Sequence, residues 1–170
     1  MVSHVFRECL LDVYLGEHAG EAAFEAMLSG AEDDEQRYVV GTLLQGETEG
    51  KVLMRPLLSR LGLPLLDLGN MAAGGASAGQ QLSQLPWRER FGALAEVVRN
   101  NYLPRYEELA TLVSAEEDAE AARIARFMGD HERALIAVAE NVMQGIPDPA
   151  APFAAILHFP LARHVTPPTG

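Results

Sequence analysis

Four predicted helices each carry a charged or imidazole side chain on a face that is otherwise apolar. At about 100° per residue, Glu17 falls in the middle of the apolar stripe of the first helix, and His131 falls at the centre of the stripe of the fourth. Glu47 and Lys51 fall inside the stripe of the second helix, and Arg105 lies close to that of the third. Charged side chains are almost never fully buried without a partner. The pattern therefore predicts that these five residues share one polar centre.

Two chemistries are open to such a centre. In the first, Lys51 and Arg105 balance the two carboxylates, and His131 completes a metal-free network. In the second, Glu17, Glu47 and His131 hold one divalent Fe, Mn or Zn ion, because carboxylate and imidazole ligands suit these metals. In the first arrangement Lys51 and Arg105 already balance the two carboxylates. Adding a dication would therefore leave excess positive charge in the low-dielectric interior. We therefore expect no metal and no other cofactor, with metal binding as the alternative.

The helices that would position these side chains are long and end at recognisable signals. The predicted ranges are about 3–28, 33–61, 86–113 and 114–145. Asp33 with Gln36, and Ser114 with Glu117, match the capping-box pattern at two helix starts. Pro56 and Pro104 fall inside predicted helices and are expected to bend them or end them early. No window alternates as a strand does, so the fold class is predicted to be all-α.

The connections between the helices differ in length. Short links join helix 1 to helix 2 and helix 3 to helix 4, which makes each pair antiparallel neighbours. Residues 62–85, with the glycine-rich run 69–75, are long enough to cross the bundle lengthwise. Such a crossover would place helices 2 and 3 parallel, which is the ferritin-like connectivity. A flexible loop within a plain up-and-down bundle is the alternative.

Short motifs add a family resemblance to this connectivity. They are Gly16-Glu17 followed by Phe24, the run Leu44 to Gly50, the run Tyr106 to Ala110, and the run Ala125 to His131. Together they resemble the ferritin-like superfamily, nearest its rubrerythrin-type bundles. The resemblance implies a four-helix bundle with one long crossover between helices 2 and 3. It also implies that Glu17, Glu47 and His131 occupy positions of iron ligands.

The departures from that family pattern concern the ligands of its di-iron site. Gly50 stands where the second-helix His would be, and Met128 stands where the fourth-helix Glu would be. The inward line of helix 3 carries no Glu. The resemblance thus implies a degenerate di-iron site. We expect a metal-independent binding or structural protein, with a metal-binding oxidoreductase as the alternative; whether the chain is an enzyme stays open, and no catalytic residue can be assigned.

Composition limits the classes of partner. The chain has 170 residues, of which 48% are hydrophobic, and a formal net charge of −11. The negative charge disfavours nucleic acid, and no apolar run approaches the length of a membrane span. The N-terminus lacks a secretory signal pattern, and Cys9 is the single cysteine, so a cytoplasmic protein is expected. A small ligand is compatible with this composition, but the sequence does not identify one.

Domain organisation follows from a change of composition after the fourth helix. Residues 1–145 are predicted to form the four-helix bundle. Residues 146–170 hold six of the ten prolines together with apolar runs, so they are predicted to form an arm. The apolar residues favour packing of this arm on the bundle or on a partner subunit, and a homodimer is expected.

Overall fold

The computed structural model describes residues 2–67 and 70–163, and this part of the chain is helical with no strand, which confirms the all-α prediction. None of its helices has the length and apolarity needed to cross a membrane. A π-helical turn, Val98–Tyr102, joins α4 to α5. The α-helices are α1 His4–Ser29, α2 Asp34–Arg60, α3 Met71–Ser83, α4 Trp87–Val97, α5 Leu103–Thr111, α6 Ala119–Gln144 and α7 Ala151–Ala154.

The second helix begins as predicted and does not end early. The side chain of Asp33 accepts a hydrogen bond from the backbone N–H of Gln36 at 2.8 Å, which caps the helix start. The helix then continues through Pro56 to Arg60. Pro56 removes the hydrogen bond to the carbonyl of Val52, and both residues are exposed. Water can therefore satisfy that carbonyl, which lowers the cost of proline inside the helix.

The fourth predicted helix starts later than the sequence pattern indicates. Ser114 and Glu117 do exchange two hydrogen bonds, but these close a turn that precedes the helix. The side chain of Asp118 accepts from the N–H of Ala121 at 3.0 Å and is the actual cap of α6. The predicted start at residue 114 is therefore wrong, because two capping patterns follow one another and the second is used.

The long connection contains a helix that the sequence analysis treated as irregular. This helix, α3, packs along α1 through its glycines. A Cβ atom at Gly75 would lie 2.0 Å from the carbonyl oxygen of Ala19, and one at Gly79 would lie 2.2 Å from that of Ala23. The two pairs advance in the same direction, so α3 runs parallel to α1. Leu68 and Gly69, which belong to the same connection, lie outside the described residues.

The directions of the other helices follow from pairs of residues that lie against each other on neighbouring helices. In each pairing one residue number rises as the other falls, so α2 is antiparallel to α1 and to α6, and the segment from α4 to α5 is antiparallel to α6. The pairs are Glu21–Lys51 and Tyr14–Arg55 for α1 and α2, Gly46–His131 and Gly50–Met128 for α2 and α6, and Arg99–Glu140 and Glu107–Arg133 for the segment against α6.

The interior consists of two apolar clusters, with a band of buried polar residues between them. One cluster includes Phe6, Tyr14 and Met54, and the other includes Phe24 and Phe91. Along α1 the buried Glu17 lies between the two clusters. Hydrophobic burial on both sides therefore holds the helices together at the level where the polar residues meet.

The C-terminal arm packs on the bundle as far as the structure describes it. Phe153 of α7 is fully buried in the second apolar cluster. Beyond it, the carboxylate of Glu49 accepts hydrogen bonds from the backbone N–H groups of His158 and Phe159 at 2.8 and 2.9 Å. These bonds tie the arm to α2. The end of the predicted arm, residues 164–170, lies outside the described residues.

We predict that replacing Gly75 with Ala lowers the free energy of unfolding by about 2 kcal/mol or more, because the new methyl group collides with the backbone of α1. Gly74 is the matched control, since a Cβ there meets nothing within 4 Å. Gly74→Ala should leave stability unchanged or raise it by up to about 1 kcal/mol. Urea unfolding measures both variants. Equal effects at the two positions would show that α3 does not pack closely on α1.

Candidate metal centre

Four ionisable side chains from three helices are buried at the level between the two apolar clusters. They are Glu17 from α1, Glu47 from α2, and His131 with Glu132 from α6, and none is more than 3% exposed. One potential ligand atom from each of Glu17, His131 and Glu132 lies within 4.8 Å of the other two. The Nε2 atom of His131 is 3.7 Å from Oε2 of Glu17. Two ligands bound to one ion at about 2.1 Å each would lie at a similar separation.

Several polar atoms in this centre have no hydrogen-bond partner within the described residues. They are Oε2 of Glu17, Oε2 of Glu132 and, apart from an interaction with the Gly46 backbone, the ring nitrogens of His131. The other oxygen of Glu17 accepts a hydrogen bond from the Tyr106 hydroxyl at 2.7 Å. Buried polar atoms are satisfied in the great majority of cases, so the unpaired carboxyl oxygens of Glu17 and Glu132 beside His131 indicate a missing partner.

Glycines on the facing helices make room for the two carboxyl groups. A Cβ at Gly50 would lie 2.2 Å from Oε2 of Glu17, and one at Gly20 would lie 2.4 Å from Oε2 of Glu47. Each carboxyl group thus fills the space that a side chain on the next helix would otherwise take. Gly50 is the position where the family pattern would place a histidine, and here Glu17 occupies that space.

Burial shifts the pKa of each group in the centre in the direction that favours the neutral form of that group. Burial raises the pKa of the Glu132 carboxyl to about 8 and lowers that of His131 to about 4. The pKa of Glu17 is raised by burial and then by the charge of Glu132, and the pKa of Glu47 is raised by burial and then by Glu17. Without a cation, therefore, burial favours the protonated form of each carboxyl group, and Glu132 keeps its proton at pH 7.

Lys51 is buried beside this centre, but its ammonium group pairs with Glu21. Glu21 also accepts a hydrogen bond from the Thr48 hydroxyl at 2.7 Å, so the pair forms a separate contact between α1 and α2. The positive charge of Lys51 lowers the pKa values of Glu17 and Glu47, but burial and the neighbouring carboxyl groups raise both values by more. Lys51 thus reaches the neighbourhood of the carboxyl groups without forming an ion pair with either.

Arg105 does not join the centre, and its predicted place there is wrong. Its side chain is 32% exposed and binds Asp12 and Glu108 on the surface. The neighbouring Tyr106 points inward instead. The π-helical turn ahead of α5 explains the shift, because its wider i→i+5 turn accommodates one extra residue. The buried stripe therefore continues from Val98 to Tyr106, eight residues later, and not to Arg105, seven residues later.

The sequence analysis missed Glu132 and the contact of Tyr106 with Glu17. Glu132 lies four residues after Met128 and three before Leu135, both of which belong to the predicted apolar stripe of that helix. That spacing places it on the buried face and could have identified it. Its position directly after His131 obscured the signal, because His131 alone was taken as the centre of the stripe.

The C-terminal arm covers the imidazole of His131. The Phe153 ring meets the His131 ring edge-on, with centroids 4.8 Å apart. The same phenyl ring lies over Gly46, where a Cβ would be 2.0 Å from it. The arm therefore excludes water from the α6 side of the centre and contributes to the low pKa of His131 through burial.

Comparisons with protein-family models, with curated proteins and with solved structures give no match to this chain. The chemistry of the centre is therefore argued from its own residues.

We predict that the metal-free protein loses stability as the pH rises from 7 to 8.5. Folded Glu132 holds its proton up to about pH 8, whereas an unfolded Glu ionises near 4.5. The folded state thus binds more protons in this range, and stability falls as pH rises through 8. Glu17 and Glu47 act in the same direction. His131 acts in the opposite direction mainly below pH 7, since its unfolded form titrates near 6.5 and its folded form near 4.

Urea unfolding in the presence of a chelator measures this dependence. Glu132→Gln should make it shallower, while the surface replacement Glu140→Gln on the same helix should leave it unchanged. A free energy of unfolding that stays constant or rises between pH 7 and 8.5 would show that the carboxyl groups are not buried in their protonated form.

Proposed function

We propose that this protein binds one divalent transition-metal ion, Fe, Mn or Zn, through Glu17, His131 and Glu132. The observation that carries the proposal is the convergence of one ligand atom from each buried side chain within 4.8 Å, with Oε2 of Glu17 and Oε2 of Glu132 unpaired among the described residues. Two carboxylates and one imidazole form a mixed oxygen and nitrogen ligand set that suits these three metals. Glu47 is a fourth candidate ligand, since its carboxyl group interacts directly with that of Glu17.

The charges of the buried residues favour a cation. Glu17, Glu47 and Glu132 contribute three carboxyl groups, and His131 is neutral at pH 7. The two cations that would have balanced the carboxylates are engaged elsewhere: Lys51 with Glu21 and Arg105 with Asp12. A dication would replace the protons and allow the carboxylates to ionise. The electrostatic reason for expecting a metal-free centre therefore no longer applies.

The ferritin-like bundle is part of the same proposal. Both α2 and the segment from α4 to α5 pair antiparallel with α6, which supports a parallel arrangement of the second and third long helices. The helix α3 between them runs along α1, as a lengthwise crossover would. In di-iron bundles of this class, ligands come from all four long helices. Here the three proposed ligands come from α1 and α6, so a single ion is proposed instead of two.

A redox-active ion with open coordination positions at this site is what an oxidoreductase activity, the second part of this proposal, would require. The chain's own residues would orient and enclose that ion. Tyr106 fixes one oxygen of Glu17 through its hydrogen bond, which leaves the other oxygen free. Phe153 keeps water from the imidazole of His131.

The competing proposal is a metal-free binding or structural protein whose carboxyl groups stay protonated. The raised pKa values of Glu17, Glu47 and Glu132 favour it, since neutral carboxyl groups can be buried without a cation. A homodimer and a cytoplasmic location are compatible with either proposal.

Metal content distinguishes the two proposals. We predict that protein loaded separately with Fe(II), Mn(II) and Zn(II), then dialysed, retains about one ion of at least one of these metals per chain. Glu132→Gln should weaken binding about tenfold or more, because it removes one of three ligands. Elemental analysis and competition with a chelator measure the two quantities.

Two further variants are measured in the same way, the first as a second test of the site and the other as a control. Gly50→Ala should also weaken binding, since its methyl group would displace the carboxyl group of Glu17. Glu140→Gln removes a carboxylate from the surface of α6 and should leave binding unchanged. Less than about a tenth of an ion per chain for all three metals would favour the metal-free proposal.

A further inference from the structure

A narrow cavity of about 80 Å³ opens between α1, α3 and the end of α4. Its outer end lies beside Ala78 and Val97, which are exposed. Its walls are apolar, and small residues of α1, among them Ala19 and Ala23, keep it open along its length. The cavity therefore joins the surface to the interior at the level of the carboxyl groups.

The inner end of the cavity is polar. Glu47 and Glu132 line it there, together with Tyr102 of the π-helical turn. Glu132 is 97% buried and its Oε2 atom has no hydrogen-bond partner within the described residues. An unsatisfied acceptor at the end of an apolar cavity is where a ligand's donor group would be held.

We propose that this cavity binds a small uncharged molecule with a short apolar body and one hydroxyl group, such as a short-chain primary alcohol. The hydroxyl group would donate to a carboxyl oxygen of Glu47 or Glu132, and the hydrocarbon would contact the walls. A cavity of about 150 Å³ lined by aliphatic and aromatic residues holds benzene, so about 80 Å³ holds roughly three or four heavy atoms. An anion would lose its hydration in the apolar cavity and would meet no cationic side chain among the lining residues, which disfavours it.

This proposal goes beyond metal binding and does not require it. A chelator removes metal ions, so Glu47 and Glu132 are then both available to a ligand in the cavity. A titration in the presence of a chelator therefore tests the cavity alone, and its result does not depend on the outcome of the metal analysis.

The probe is 1-propanol, followed by the amide signals of the full-length protein in nuclear magnetic resonance. We expect saturable shifts at the cavity residues Ala23, Leu94 and Val98. Propionate, which has the same number of carbon atoms and a negative charge, should bind at least tenfold more weakly. Shifts that do not saturate, or propionate binding equal to that of 1-propanol, would overturn the proposal.

Two matched variants on α3 separate the cavity from general solvent effects. Ala78→Leu narrows the outer end and should weaken 1-propanol binding at least tenfold. Ser77→Leu places the same side chain on the exposed surface one residue away, outside the cavity, and should bind as the unmodified protein does. Both positions are exposed, so neither change disturbs the core. Equal binding by the two variants would overturn the proposed site.

Discussion

The burial of three carboxyl groups and one imidazole at a single level of the bundle is the constraint on which the rest of the structure depends. Moving an ionised carboxylate out of water costs several kcal/mol unless a counter-charge or a proton compensates it. Glu17, Glu47 and Glu132 meet here, and the ammonium group of Lys51, which is buried beside them, is paired with Glu21. Either protons or a metal ion must therefore neutralise them, and that choice determines both the stability and the chemistry of the protein.

The helices are shaped around this group of side chains. Glycines on α1 and α2 provide spaces, and a neighbouring side chain fills each one: Glu47 at Gly20, Phe153 at Gly46 and Glu17 at Gly50. A larger residue at any of these positions would displace a carboxyl group or the aromatic cover over His131. The glycines that weaken helices by propensity are thus used here for close approach.

Much of the architecture was predictable from the sequence, because helix periodicity and caps are local signals. The inward direction of Glu17, Glu47, Lys51 and His131 follows from that periodicity and is what the structure shows. Pro104 did indicate a disturbance of the third predicted helix but not its form, and the π-helical turn just ahead of it shifts the register so that Arg105 lies at the surface.

The helix α3 was also beyond prediction, for a physical reason. Its glycines disfavour a helix by intrinsic propensity, and only contact with the backbone of α1 makes them favourable. Tertiary packing therefore overrides the local preference at Gly75 and Gly79, and no local pattern reports that packing. The partners of Lys51 and of the carboxyl groups depend in the same way on which helices become neighbours.

Anomalous X-ray diffraction from crystals of the full chain grown with Mn(II) tests the metal proposal most directly. We expect one strong anomalous peak inside the bundle, about 2.0–2.3 Å from a nitrogen of His131 and from an oxygen of each of Glu17 and Glu132. A centre without a peak, with the carboxyl groups hydrogen-bonded to one another or to water and Mn(II) confined to the surface, would contradict the account.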